Sequence, residues 1–225
     1  MDRKAIKAKA KEFAFSHKWA IWKPILVGSI IVGLLSGILS AIFKIDSTTD
    51  TLGAAMMGLI STALLCFIGV GQMYYIRKVI NGKEVSIKED LFHFKSNYIG
   101  ILIPCVVYLL ATNISEIAEY LLPETALWAA VVIIVASIAQ IIFTFMFAMT
   151  QLVLAEDKKE NYGGVTSLLK SKELMDGYKW DYFCLLFSFI GWYILCLFII
   201  PIIWVVPWVQ TTHVMYYEEL KKLSK

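Results

Sequence analysis

The strongest constraint on this chain is the length of its uncharged apolar runs. Pro24–Phe43, Leu52–Ile76, Ala126–Ala155 and Tyr182–Tyr217 contain no Asp, Glu, Lys or Arg. A run of roughly 18 or more such residues is a candidate to cross a membrane. The chain is 59% hydrophobic and 17% charged, against about 25% charged in soluble domains. A soluble core has no room for this much continuous apolar surface, so the expected class is an all-α polytopic membrane protein.

Breaks between the runs set the element plan. Spans are expected near 24–43, 52–76, 98–121, 126–155, 182–197 and 200–217. Pro104 interrupts the third, Leu121–Thr125 turns it into the fourth, and Pro201 and Pro207 shape the sixth. Three charged segments precede alternate spans. Near 4–18, Ile6, Ala10, Phe13 and His17 share a helical face; near 86–96, Ile87, Leu91 and Phe94 do so; near 164–176, Val165, Leu168 and Leu169 do so. Each reads as an amphipathic interfacial helix. In the third, Gly177 stands where charge gives way to the last apolar run, as a glycine ending a helix would.

Charge fixes the orientation. Of the 21 Lys and Arg, all but Lys44 fall in residues 1–23, 77–95, 158–179 and 221–225. Six spans put these four segments on one side, which must be cytoplasmic by the bias of Lys and Arg toward inner loops. Five or seven spans would split them. Both termini are therefore expected in the cytoplasm of a plasma-membrane protein.

The three charged segments also repeat one another. Lys11-Glu12 with Lys18, Lys88-Glu89 with Lys95, and Lys172-Glu173 with Lys179 share one spacing, and Trp19 matches Trp180. The fold this implies is three transmembrane hairpins, each preceded by an interfacial helix, as a pseudo-threefold internal repeat about the membrane normal. Coincidence among residues common at membrane edges is the alternative.

No nucleophile elbow, zinc-protease, phosphate-loop or dinucleotide motif occurs. Cys66, Cys105, Cys184 and Cys196 lie inside apolar runs without metal-ligand spacing and read as small buried hydrophobes. No ionisable Asp, Glu, Lys or Arg falls mid-span, where ion-coupled transporters usually carry one. Gln72, Gln140, Thr144, Gln151 and His213 are the polar groups that remain in or near spans. They bond helix to helix, or they line a polar cavity. Glu116 and Glu119 read as headgroup-level acids beyond the third span. Lys11, Lys18, Trp19, Lys88, Lys95, Lys172, Lys179 and Trp180 read as contacts to lipid headgroups, cations for anionic lipid and indoles as interface anchors. Ser29, Gly33, Gly37 and Ala41 form a small-residue stripe, and Ala54, Gly58 and Thr62 a second. Pairing of the first two spans is the simpler use of these stripes, and homodimerisation the other.

The run from Ala155 to Leu195 resembles the signature of a bacterial integral membrane family, domain-of-unknown-function family 975. The matching residues are Leu168, Ser171, Leu174, Met175, Gly177 and Lys179, then Phe187, Ser188, Phe189, Ile190, Gly191 and Trp192. The aromatic block Pro207–Glu218 is similar to the family's late segment. Two departures stand out: residues 196–200 lack the glycines usual in the final turn, and the second span keeps Gly69 and Gly71 but not the family's proline-glycine pattern. The resemblance implies location and fold more than activity.

The functional expectation is a non-enzymatic membrane protein without cofactor or nucleic-acid partner. It would bind a lipid, a membrane-active peptide or a membrane-protein partner in an accessory or protective role. The alternative is a transporter or flippase for an uncharged or amphipathic solute. Oligomeric state is open.

Overall fold

A computed structural model describes residues 2–43, 51–92, 98–112, 127–156 and 163–224. All regular structure among them is helical. The elements are α1 (Arg3–Ser16), α2 (Lys18–Phe43), α3 (Thr51–Ile80), α4 (Ile87–Asp90), α5 (Tyr98–Thr112), α6 (Leu127–Met146), α7 (Thr150–Leu154), α8 (Val165–Leu174), α9 (Lys179–Phe187), α10 (Ile190–Leu195) and α11 (Ile202–Leu223). Among the described residues, four helices are long and apolar enough to cross a membrane: Lys18–Ile42, Ile60–Ile80, Trp128–Leu154 and Lys179–Phe198. The expected sixth span falls within α11, and the described part of the third is α5. The expectations for Glu116, Glu119, Lys95 and the Leu121–Thr125 turn lie outside the described residues.

α1 starts cleanly because the Asp2 carboxylate accepts hydrogen bonds from the backbone N–H of Lys4 and Ala5, at 3.0 and 3.1 Å. Its buried face is Ile6, Ala10 and Ala14, one residue per turn. That face packs on α11, and Trp208 Nε1 donates to the Lys7 carbonyl at 3.0 Å. The apolar stripe of the first interfacial segment is thus covered by protein. Burial, together with the neighbouring Lys11, holds the Lys7 ammonium below the usual lysine range.

α2 and α3 form an antiparallel pair, as the small-residue stripes suggest, but through a neighbouring face. Gly28 lies against Ile68 and Gln72, Val32 packs with Ile68, and the hydroxyls of Ser36 and Ser61 are 3.0 Å apart. The stripe of Ser29, Gly33, Gly37 and Ala41 is exposed instead, with open space where a Cβ at Gly33 or Gly37 would go.

The middle interfacial segment is described only as far as Phe92, and Phe94 and Lys95 of the expected helix lie outside the described residues. Within its described part only α4 is helical, a single turn. Asp90 explains this local geometry. Its buried carboxylate accepts from Ser86 N–H at 2.7 Å and pairs with Lys78 Nζ at 3.0 Å. The turn brings Leu91 onto α3, where its carbonyl occupies the space of a side chain at Gly71.

α6 exposes Trp128, Val131, Ile134, Val135, Ile138, Ile141 and Ile142, an apolar surface suited to acyl chains. α8 packs on α7 and α5, burying Ser167, Leu168, Ser171 and Leu174. Gly177 has φ +75°, the left-handed geometry expected of a glycine just past a helix. α9, α10 and a 3-10 turn at Cys196–Phe198 then run antiparallel to α11. Tyr182 meets Tyr216 at 5.2 Å between ring centroids, and Phe189 meets Trp208 at 4.9 Å. The main core, shared by α1, α3, α7, α9 and α11, centres on Ile76, Met149, Met175, Leu185, Tyr216 and Tyr217.

Candidate functional site

Helices α3, α5, α6, α7, α9 and α11 leave a cavity of about 250 Å³ between them. Its wall is mostly apolar: Val70, Ile101, Pro104, Phe145, Leu154 and Leu186 among others. Polar or sulfur-bearing positions interrupt it: Cys66 and Cys105, Thr144, Thr150 and Gln151, and Tyr182 and His213. Pro104 cannot donate a backbone hydrogen bond, and it stands with Cys105 at this wall. Cys105 Sγ donates to the Ala63 carbonyl at 3.9 Å, and both thiols are free of disulfides.

Two side-chain atoms at the wall are orphans. Thr150 Oγ1 and His213 Nε2 are buried and have no hydrogen-bond partner among the described residues. The His213 ring lies against Tyr182, 5.6 Å away between centroids. A buried polar atom without a partner costs about 1–3 kcal/mol. A ligand carrying a hydroxyl, amide or ester against this wall would satisfy both atoms.

Of the polar residues expected to line a cavity, Thr144, Gln151 and His213 come together here. Gln72 does not join them, because its Nε2 donates to the Pro24 carbonyl at 3.2 Å and bridges α3 to α2. Gln140 lies one turn before Thr144, whose hydroxyl donates to its carbonyl at 2.8 Å, outside the cavity wall. Thr150 was missed because a threonine in an apolar run gives no signal until its neighbours are known.

A second constellation sits where α3, α7 and α11 end. Glu156 is buried; it accepts from Tyr217 Oη at 2.6 Å and from Lys221 Nζ at 2.5 Å, and lies 3.8 Å from Arg77. Arg77 also pairs with Glu218 at 2.6 Å. Two cations and two carboxylates balance. The sequence held a signal for this cluster: Arg77, Glu156 and Glu218 are each the first charged residue after an uncharged run. Three run-ends of opposite sign that meet in space neutralise one another.

The expected headgroup contacts fall in separate places. Lys11 lies over the rings of Phe15, Trp192 and Trp208, and Lys18 over Trp19 and Trp204. Trp19 and Trp180 are exposed, Trp180 stacking on Phe183 at 5.1 Å. Lys88 and Lys172 are exposed on α4 and α8, and Lys179 is half-buried at the start of α9. No group of three or more His, Cys, Asp or Glu able to hold a metal occurs among the described residues.

No curated protein and no solved structure is significantly similar to this chain. Residues 97–224, more than half of its length, match the model of a family described as protein of unknown function (DUF975), and the chain belongs to that family.

Proposed function

We propose that this chain is a non-enzymatic integral protein of the plasma membrane that binds the apolar part of a lipid or another amphipathic molecule. The cavity between α3, α5, α6, α7, α9 and α11 is the site. The observation that carries the reading is its wall: apolar on most sides, and among the described residues lined by no Asp, Glu, Lys or Arg, with Thr150 Oγ1 and His213 Nε2 unpaired. A small number of placed polar atoms in an apolar hollow is how ligand sites set orientation. The role is accessory or protective, exerted by sequestering a lipid or membrane-active peptide or by presenting the occupied site to a membrane-protein partner.

The topology that goes with this reading has three helical hairpins entering from the cytoplasmic side, so that both termini are cytoplasmic. The three interfacial segments are placed alike along the chain. α1 lies on α11, α4 on α3 and α8 on α7, so each interfacial segment rests on the returning arm of the preceding unit. The ends of those three arms are the ones joined by Arg77, Glu156 and Glu218.

Mass spectrometry of lipids co-purified in mild detergent tests the site. Ala148→Trp, which fills the cavity, should strip a stoichiometric lipid that Ala139→Trp on the exposed face of α6 retains. Equal retention by both, or turnover of the bound lipid, would overturn the reading. Transport of an uncharged solute is the second reading, favoured by Thr144 and Gln151 at the wall. Vesicles reconstituted with the protein would then pass the solute, and Gln151→Leu would slow it.

A further inference from the structure

The hairpin formed by α9, α10 and α11 has the composition of a membrane-crossing pair, and Lys179–Phe198 alone is long and apolar enough to cross. It packs on α2, α3 and α6, but along its length it also carries the charged N-terminal segment. Four cations of the N-terminal segment lie along it from base to near the tip. Arg3 pairs with Asp181 at 3.2 Å. Lys7 Nζ donates to the carbonyl and hydroxyl of Ser188, both at 2.8 Å, and sits 3.9 Å from the centre of the Phe189 ring. Lys11 stands over Trp192 and Trp208, and Lys18 over Trp204. Trp22 Nε1 donates to the Ile203 carbonyl at 2.9 Å. α1 and the hairpin therefore run side by side and share one inclination to the membrane.

That inclination follows from charge. Ser188 is at the middle of Lys179–Phe198. If this stretch stood upright across the bilayer, the Lys7 ammonium would be carried to the hydrocarbon centre, where a cation is costly. α1 also bears Arg3, Lys4, Lys9, Lys11 and Glu12. A helix with so many cations stays out of hydrocarbon and at the level of the headgroups, so the hairpin beside it lies at that level too. From Trp192, within reach of Lys11, to Ile199 at the turn, a helix rises about 10 Å, whereas the hydrocarbon core is about 30 Å thick.

The tip is built for hydrocarbon. Leu197, Phe198, Ile199 and Ile200 are 81, 73, 75 and 66% exposed, with no polar side chain among them. Irregular backbone is tolerated among acyl chains only when its polar groups are satisfied internally. Here the N–H groups of Ile199, Ile200, Ile202, Ile203, Trp204 and Val205 all donate to carbonyls between Cys196 and Pro201, and Pro201 has no N–H to satisfy.

We propose that the α9–α11 hairpin does not cross the bilayer but lies with α1 in the cytoplasmic leaflet. Its tip is sunk among acyl chains, and Lys7, Lys11 and Lys18 with Trp192 and Trp204 are held at the headgroup level. The six spans expected from the apolar runs then become four crossings, by α2, α3, the run that contains α5, and α6–α7, plus one re-entrant wedge. Orientation is unchanged, since the charge bias requires only an even number of crossings. The inference concerns seating in the bilayer and stands or falls apart from the ligand proposed for the cavity.

The test uses the full chain with its four cysteines replaced by alanine and one cysteine added: Phe198→Cys, Ile200→Cys or, as a control in the polar stretch between the first two runs, Thr48→Cys. An impermeant thiol reagent applied to the outside of intact cells should label residue 48 and leave 198 and 200 unlabelled. A nitroxide on residue 198 in vesicles should collide with oxygen far more often than with a water-soluble nickel chelate. External labelling of 198 or 200 at the level of the control would show a crossing hairpin and overturn the proposal. Protection from both oxygen and nickel would show the tip covered by protein, such as a second copy, and would overturn the lipid as its occupant.

Discussion

At the scale of single residues, four backbone positions carry consequences that side-chain chemistry does not. A Cβ at Gly71 would collide with the Leu91 carbonyl, which is backbone and cannot rotate away. Gly71→Ala should destabilise the protein by about 1–3 kcal/mol through overpacking. At Gly33 the same change meets open space and should stabilise the helix by about 0.5–1 kcal/mol. Thermal unfolding in one detergent distinguishes the two, and equal shifts would refute the contrast. Gly177, at φ +75° with space around it, limits substitution by conformation alone. Gly177→Leu should cost roughly 1–2 kcal/mol, more than Gly163→Leu, in the same measurement. Ile199 is the reverse case. It is a β-branched residue at φ +63°, in a γ-turn closed by Ile200 N–H to Phe198 carbonyl at 2.6 Å, where left-handed backbone favours glycine. The turn lacks the glycines usual in the family, and the strain identifies the residue that stands where one would fit. Ile199→Gly should raise the melting temperature in detergent, by the equivalent of about 1 kcal/mol, because the lost side chain packs on little of the protein. An unchanged or lower melting temperature would mean the side chain contributes more than its exposure suggests.

At the scale of elements, helix existence followed directly from run length, since an uncharged stretch of membrane length has few other solutions. Helix faces were harder. α2 carries small residues at four-residue spacing on two adjacent stripes, and glycine content favours Gly33 and Gly37. Packing uses Gly28 instead, because Ile68 and Gln72 of α3 need the room there. In the middle interfacial segment the helical spacing of Ile87 and Leu91 was legible, but the bonds of Asp90 to Ser86 and Lys78 that shape the turn there were not. The polar lining of the cavity was half legible. Isolated polar residues in apolar runs can be found by reading, but nothing in the sequence separates Gln72, tied to Pro24, from Gln151 at the wall. The ion cluster tests how strongly element ends are coupled. Glu156 meets Tyr217 and Lys221 and approaches Arg77 at 4% side-chain exposure. Glu156→Ala leaves two cations facing a buried gap, and removing one partner of a buried pair typically costs about 3–5 kcal/mol. Replacing Glu156 and Lys221 together, by Gln and Met, should recover part of that loss. Thermal unfolding of the two variants decides it, and a double replacement as damaging as Glu156→Ala would deny the coupling.

At the scale of the whole molecule, charge and packing support the same frame. The returning arms α3, α7 and α11 end together in a neutral cluster, and the exposed apolar surface of α2 and α6 runs away from that level. Arg77, Glu156, Lys221 and Lys222 thus mark one face of the protein, and the basic N-terminal helix lies against α11 at the same end. The turn after α3, at Asn81 and Gly82, is exposed beside them. If this face is cytoplasmic, a cysteine at residue 81 or 224 should be inaccessible to an impermeant reagent outside intact cells and become reactive when the membrane is permeabilised, whereas residue 48 should react from the outside in both conditions. The outcome does not depend on whether the last hairpin crosses or re-enters, because either path returns residue 224 to the side from which residue 179 departs. Reaction of residue 224 alone from outside would require an odd number of passages after residue 81, and would break the fold as well as the topology: Lys221 and Glu156 could not then meet Arg77 at one membrane surface.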